Sequence, residues 1–234
     1  MVMTGLAQMT SKSEEMQRAL RMATVASETE APVLFAGESG TGKCHWARMI
    51  HSASRRSDGS FTVLHGGQVT EARLEELGKG QGGEDGRSLQ GGTLYLHELG
   101  DLAPGCQARL LQLLSDGAEG TRSVGGARLM AGSTRDLGDL LKRGLLREEL
   151  YYRLGELMLT LPPLRQRKGD IPGLAQEMVK EFNQAYQKKI DSISDVTMSF
   201  LLKHDWPGNV RELRSVIRRG VLMSTRSALW LEDL

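Results

Sequence analysis

Cysteine is nearly absent from this chain: Cys44 and Cys106 are the only two among 234 residues, which excludes a disulfide framework. A surplus of one charge is lacking as well. Thirty lysines and arginines stand against 29 aspartates and glutamates, and the resulting net charge of +1 gives no general pull toward nucleic acid. No apolar run approaches the length needed to span a membrane, and the N-terminus carries neither the charged nor the apolar region of a signal peptide. The expectation is a soluble, reduced, cytoplasmic protein with no membrane partner. Internal repeats and low-complexity segments are also missing. With 39% hydrophobic residues the chain can still bury a sizeable core.

The pattern that remains is an alternation of short apolar runs and helical periodicities. Residues 16–26 read as a helix with Met16, Leu20 and Ala23 to Val25 on one side, followed by a strand at 32–36. Further strands are expected at 61–67, 94–96, 127–133 and 157–161, with a helix opened by Pro104 that buries Leu110, Leu111, Leu113 and Leu114. Five strands alternating with helices imply an α/β fold with a parallel sheet. After Pro162 and Pro163 the strands cease, and helices are expected over 171–185, 194–203 and from Asn209 onward. Glu212, three residues after Asn209, suits a capping box, and Val210, Leu213, Ile217 and Val221 would face a small helical core. The division expected is an α/β unit over 1–164 and a helical lid over 165–234.

Directly after the first strand comes GESGTGK: Gly37, Glu38, Ser39, Gly40, Thr41, Gly42 and Lys43. The glycines let the backbone turn tightly and point N–H groups inward, where they form with the helix N-terminus a nest for phosphates; Lys43 would reach the β- and γ-phosphates. ATP or ADP is therefore the expected ligand. Trp46, Ala47, Met49 and Ile50 carry the helical spacing expected behind such a loop. Cys44 stands where the general motif has Ser or Thr to place a hydroxyl on Mg2+, and a thiol is a poor ligand for that ion. The strand GGTLYLHEL ends in His97 and Glu98, at the carboxyl end where open α/β sheets bind ligands. Glu98 can act as a base toward water, whereas an imidazole at 97 is the wrong donor for a hard cation. Cys44, His45 and His97 invite a transition-metal reading, but three ligands of uncertain convergence are weak evidence and no such metal site is expected.

These residues carry a resemblance. From Met9 onward the chain resembles the AAA+ P-loop NTPase domain of bacterial enhancer-binding proteins, the ATPases that activate sigma-54 RNA polymerase. The matching stretches are GESGTGK, GGTLYLHELGDL at 91–102, STRDL at 133–137, LLREELYYRL at 145–154, LPPLRQRKGDIPGLA at 161–175 and HDWPGNVRELRSVI at 204–217. The resemblance implies a five-stranded parallel sheet between helices with a small C-terminal lid. Lys43 would match the Walker A lysine, Glu98 the catalytic glutamate, Thr134 the sensor I position and Arg211 the sensor II arginine. Arg147 and Arg153 would match the arginine fingers that reach a neighbouring subunit's nucleotide, so self-assembly into a hexameric or similar ring is implied.

The departures are equally specific. The family carries Asp where His97 stands, Asn where Thr134 stands and Glu where Cys44 stands. Between Leu77 and Gly91 it places a GAFTGA loop that grips sigma-54, and this chain has GKGQGGEDGRSLQ instead, a stretch that reads as a flexible, solvated loop. The expected function is a nucleotide-binding central domain of a transcription regulator with weak or absent ATP hydrolysis, weakened Mg2+ binding and no sigma-54 remodelling. RNA polymerase or its sigma factor would be met by the full-length protein, and DNA by a domain outside this chain. The basic run Arg211, Arg214, Arg218 and Arg219 reads, apart from Arg211, as the solvated side of a lid helix. An active Mg2+-ATPase and a purely structural domain with a vestigial site are the alternatives.

Overall fold

Strands with one side chain in two facing each way need cover on both faces of a parallel sheet, and the helices provide it. The computed structural model describes residues 11–81, 88–115 and 123–234. Helix α1 (Glu14–Glu28) leads into β1 (Val33–Ala36) and α2 (Lys43–Ala53), then β2 (Phe61–His65), α3 (Glu71–Gly78), β3 (Thr93–His97) and α4 (Pro104–Ser115). A short β4 (Ser123–Val124) precedes β5 (Ala127–Ser133), α5 (Leu137–Lys142), α6 (Glu148–Leu154) and β6 (Leu157–Thr160). Five strands run parallel in the order β2-β3-β5-β1-β6. The sixth, β4, pairs antiparallel with β5 across Gly125 and Gly126, both at positive φ, a two-glycine hairpin that the sequence reading passed over.

Period-two alternation sorts the strand residues cleanly. Leu34, Leu94, Leu96, Leu129 and Ala131 pack with α3, α4 and α6, and Val33, Phe35, Tyr95, Met130 and Leu159 pack with α1 and α2. Met16 and Ala23 are buried on α1 as its spacing requires, but Val25 is exposed, since the buried stripe runs through Ala19, Ala23 and Ala26 and leaves it to one side. A third cluster belongs to the lid. It gathers Leu164, Ile171, Ala175, Phe182, Trp206, Leu213, Ile217 and Val221 from α7 (Ile171–Tyr186), α8 (Asp195–Lys203), α9 (Asn209–Met223) and the turns between them.

Two expectations for the lid are corrected. Strands do not cease: β7 (Ser192–Ile193) and β8 (Ala228–Leu229) form a small parallel pair whose two-residue length leaves no periodic signal. Nor does Asn209 cap α9 with Glu212. Gly208 is the N-cap, its N–H donates to the Glu212 carboxylate at 2.8 Å, and the Asn209 side chain turns away toward the glycine-rich loop.

Candidate functional site

The loop between β1 and α2 needs glycine for two separate reasons. Gly42 has φ 103° and Gly40 has φ 79°, conformations that L side chains avoid, and a Cβ on Gly40 would lie 2.1 Å from the Gly208 carbonyl oxygen. The turn therefore opens at the N-terminus of α2 and presses against the lid. Lys43 is buried, and its Nζ donates to the carbonyls of Gly37 at 2.7 Å and Glu38 at 3.2 Å. Burial pushes the Lys43 ammonium below its usual range, while Glu98 opposes the shift.

Beside this close approach, the lid holds the loop through a set of polar contacts. Arg165 makes two bonds to the Glu38 carboxylate, at 2.5 and 2.7 Å. Asn209 donates to that carboxylate at 3.2 Å and to the Ser39 carbonyl at 2.9 Å, and its own carbonyl accepts from the Leu164 N–H at 2.7 Å. Arg211 donates from its backbone to the Gly40 carbonyl and from its guanidinium to Ser39 Oγ at 3.1 Å. Arg167, buried, reaches the Thr41 carbonyl and the Met16 sulfur. Arg165 foremost, then Asn209, pulls the Glu38 carboxyl down to about 2. The sequence reading placed Glu38, Ser39 and Arg211 in the site but not Arg165, Arg167 or Asn209, the last of which it read only as a helix start. The signal available was their place in RQRKGD and WPGN.

At the end of β3 the backbone breaks its strand geometry. Glu98 has φ 59° and ψ 73°, a left-handed conformation uncommon for a residue with a side chain, and a Cβ on Gly66 would meet its carbonyl at 2.2 Å. Glu98 Oε2 accepts two bonds from Thr134, one from its N–H at 2.8 Å and one from its hydroxyl at 2.7 Å. The other oxygen lies 3.7 Å from His97 Nδ1. Burial foremost lowers the His97 imidazole below its usual range, with Glu98 opposing. Because His97 and His65 are register partners in β3 and β2, their rings lie side by side, centroids 5.1 Å apart. His65 was not singled out from the sequence, since only strand register reveals the pairing.

Cys44 is half-buried at the start of α2 and His45 is exposed there. Among the described residues no three or more His, Cys, Asp or Glu side chains converge as a metal cluster, Cys44, His45 and His97 included. Arg147 and Arg153 lie on or beside α6. The Arg147 side chain is exposed while its N–H donates to Gln107; Arg153 is half-buried and donates to the Leu114 carbonyl in the last turn of α4. Neither joins the loop of its own chain through these bonds. Arg214 pairs with Glu181 and Arg219 bonds the Leu234 carbonyl, so both serve the lid. Of the replacement loop at 78–90, residues 82–87, including Glu84, Asp85 and Arg87, lie outside the described residues. No helix among the described residues is long and apolar enough to cross a membrane.

Comparison with known proteins gives a consistent result. Residues 9–160 match the family model of the sigma-54 interaction domain, and residues 165–234 match that of an AAA+ ATPase lid domain. The transcriptional regulatory protein ZraR of Salmonella typhimurium is 37% identical over 93% of this chain, which spans about half (53%) of that relative. The Nif-specific regulatory protein of Rhizobium leguminosarum bv. trifolii is 34% identical over 97% of this chain and 69% of its own length. Among solved structures, NtrX from Brucella abortus in complex with ATP superposes with a TM-score of 0.79 at 27% identity, covering 97% of this chain and 56% of that one. A phosphate loop, a strand-end glutamate and a lid seated on the loop, matched along nearly the whole chain, establish that this protein belongs to the sigma-54 interaction domain family, with the fold of an AAA+ P-loop NTPase.

Proposed function

We propose that this chain is the nucleotide-binding AAA+ domain of a bacterial transcription regulator, one that binds ATP or ADP and hydrolyses ATP weakly or not at all. The observation that carries this reading is the contrast between the two halves of the site. The phosphate-binding half is complete: Gly40 and Gly42 turn the loop, Lys43 stands within it, and Arg211 of the lid touches it. NtrX, superposable over nearly all of this chain, was crystallised with ATP and with ADP, which supports the same ligand here.

The hydrolytic half does not fit Mg2+. That ion, when bound, neutralises phosphate charge through oxygen ligands, and here an imidazole (His97) and a thiol (Cys44) occupy the positions that would supply them. Glu98 is held by Thr134 through one oxygen, which fixes the carboxylate but commits two of its acceptor sites.

The division of labour we propose is an α/β unit over 1–164 that binds phosphate and a lid over 165–234 that closes on it. Arg147 and Arg153 serve assembly with copies of the same chain. Contacts with RNA polymerase or its sigma factor, and with DNA, belong to the full-length protein. Sigma-54 remodelling is not part of the reading, because no GAFTGA sequence occurs.

The test is steady-state ATP turnover with Mg2+ over a range of protein concentrations, comparing wild type with His97→Asp. The expected result is negligible wild-type turnover and a gain of about tenfold or more, equal to ~1.4 kcal/mol of barrier, in the variant. Wild-type turnover that rises with concentration would overturn the reading in favour of an active ATPase. The bond from Thr134 to Glu98 is the observation that favours that second reading, since it keeps the base in place.

A further inference from the structure

The mismatch with Mg2+ has a positive side. Parallel register sets His65 opposite His97 on neighbouring strands, so both side chains leave the same face at the carboxyl edge of the sheet. The next position in that row is Gly132 on β5, which has no side chain, and the stem of Lys43 lies over it, 3.6 Å from where a Cβ would be. Two imidazoles therefore stand beside the lysine that would hold the nucleotide phosphates. Their spacing fits one shared ion. Two imidazoles bound to one ion at about 2.1 Å and a tetrahedral angle have ring centroids roughly 5 Å apart, and the centroids here are 5.1 Å apart.

His65 is exposed and His97 half-buried, so the pair is accessible to an incoming ion. Two of the other histidines are differently occupied. His51 is buried with Nδ1 2.9 Å from Thr93 Oγ1, and His204 Nδ1 accepts the Trp206 N–H at 3.0 Å.

We propose that His65 and His97 form a two-imidazole site for a divalent transition ion of the Zn2+ or Co2+ class, which binds together with the nucleotide in place of Mg2+. Imidazole suits such ions and disfavours Mg2+. Two protein nitrogens leave positions open, and phosphate oxygens and water fill them. This inference rests on the nucleotide-binding reading above.

The experiment titrates the protein with Co2+, with and without a non-hydrolysable ATP analogue, and records the visible absorption of the ion alongside nucleotide binding by a fluorescent analogue. The expected result is an absorption band of imidazole-bound Co2+ that strengthens with nucleotide, and nucleotide affinity at least about tenfold higher with Co2+ than with Mg2+. His65→Ala and His97→Ala each remove the band, and His97→Asp reverses the ion preference. His65→Gln, a milder change at an exposed position, repeats the test, and circular dichroism checks that each variant folds. A band equal in wild type and His65→Ala, or nucleotide affinity indifferent to the ion, overturns the proposal while leaving nucleotide binding intact. Failure to bind nucleotide with any ion overturns the nucleotide reading instead, and the Co2+ band measured without nucleotide still decides whether the imidazoles bind metal.

Discussion

Glu38 shows how much one side chain in the loop is asked to do. Its carboxylate joins the phosphate loop to Arg165 and Asn209 of the lid, and these partners pull its carboxyl down to about 2. A carboxyl whose folded value is depressed adds stability above its ordinary value near 4.5, and that contribution is lost as pH falls toward 2. The side chain is 41% exposed, so solvent screening reduces the effect to about 0.5–1 kcal/mol. Glu38→Gln is expected to be less stable than wild type by that amount at pH 7 in urea denaturation, with the gap closing between pH 4.5 and pH 2. An unchanged gap at pH 3 would show that the ion pair contributes nothing. At this scale the sequence exposed residue types but not partners. Lys43, Glu98 and Arg211 were legible from their motifs, whereas the pairing of Glu38 with Arg165 spans 127 positions and leaves no local trace.

Among the elements, α9 shows why a boundary can be found and its role missed. Helical spacing placed its start at Asn209, where it does start, and identified Leu213, Ile217 and Val221 as buried. What spacing could not show is that Trp206 and Asn209 both take positive φ, so that Trp206 enters the lid core while the Asn209 amide reaches the loop. Asn209 is fully buried, and removing its side chain leaves the Leu164 N–H without an acceptor. Asn209→Ala is therefore expected to cost about 1–3 kcal/mol of stability in urea denaturation. It should also weaken nucleotide binding, because the loop loses its tie to the lid. A variant with wild-type stability would mean that water replaces the amide.

For the molecule as a whole, the parallel direction of the five strands follows from alternating strands and helices, which the apolar runs made visible, whereas their order in the sheet does not. The hairpin β4 and the pair β7 and β8 were not visible, because two residues carry no period. The proposed assembly belongs to this scale too. Arg147 is exposed and its guanidinium serves no bond to α4, so Arg147→Ala is expected to lower self-association in sedimentation while changing stability by less than ~0.5 kcal/mol. Arg153→Ala also loses the bond to the Leu114 carbonyl, and should be less stable by about 0.5–1.5 kcal/mol besides. Sedimentation indifferent to both changes would remove these arginines from the interface.

The apolar clusters of the α/β unit and of the lid are separate, and the contacts between loop and lid described above are hydrogen bonds and one ion pair. Parting this seam would exchange these bonds for water and uncover Arg167 and Met16, both buried where they meet. Because the exposed Arg165–Glu38 pair is the charged tie between loop and lid, the hold of the lid on the loop is expected to weaken as ionic strength rises.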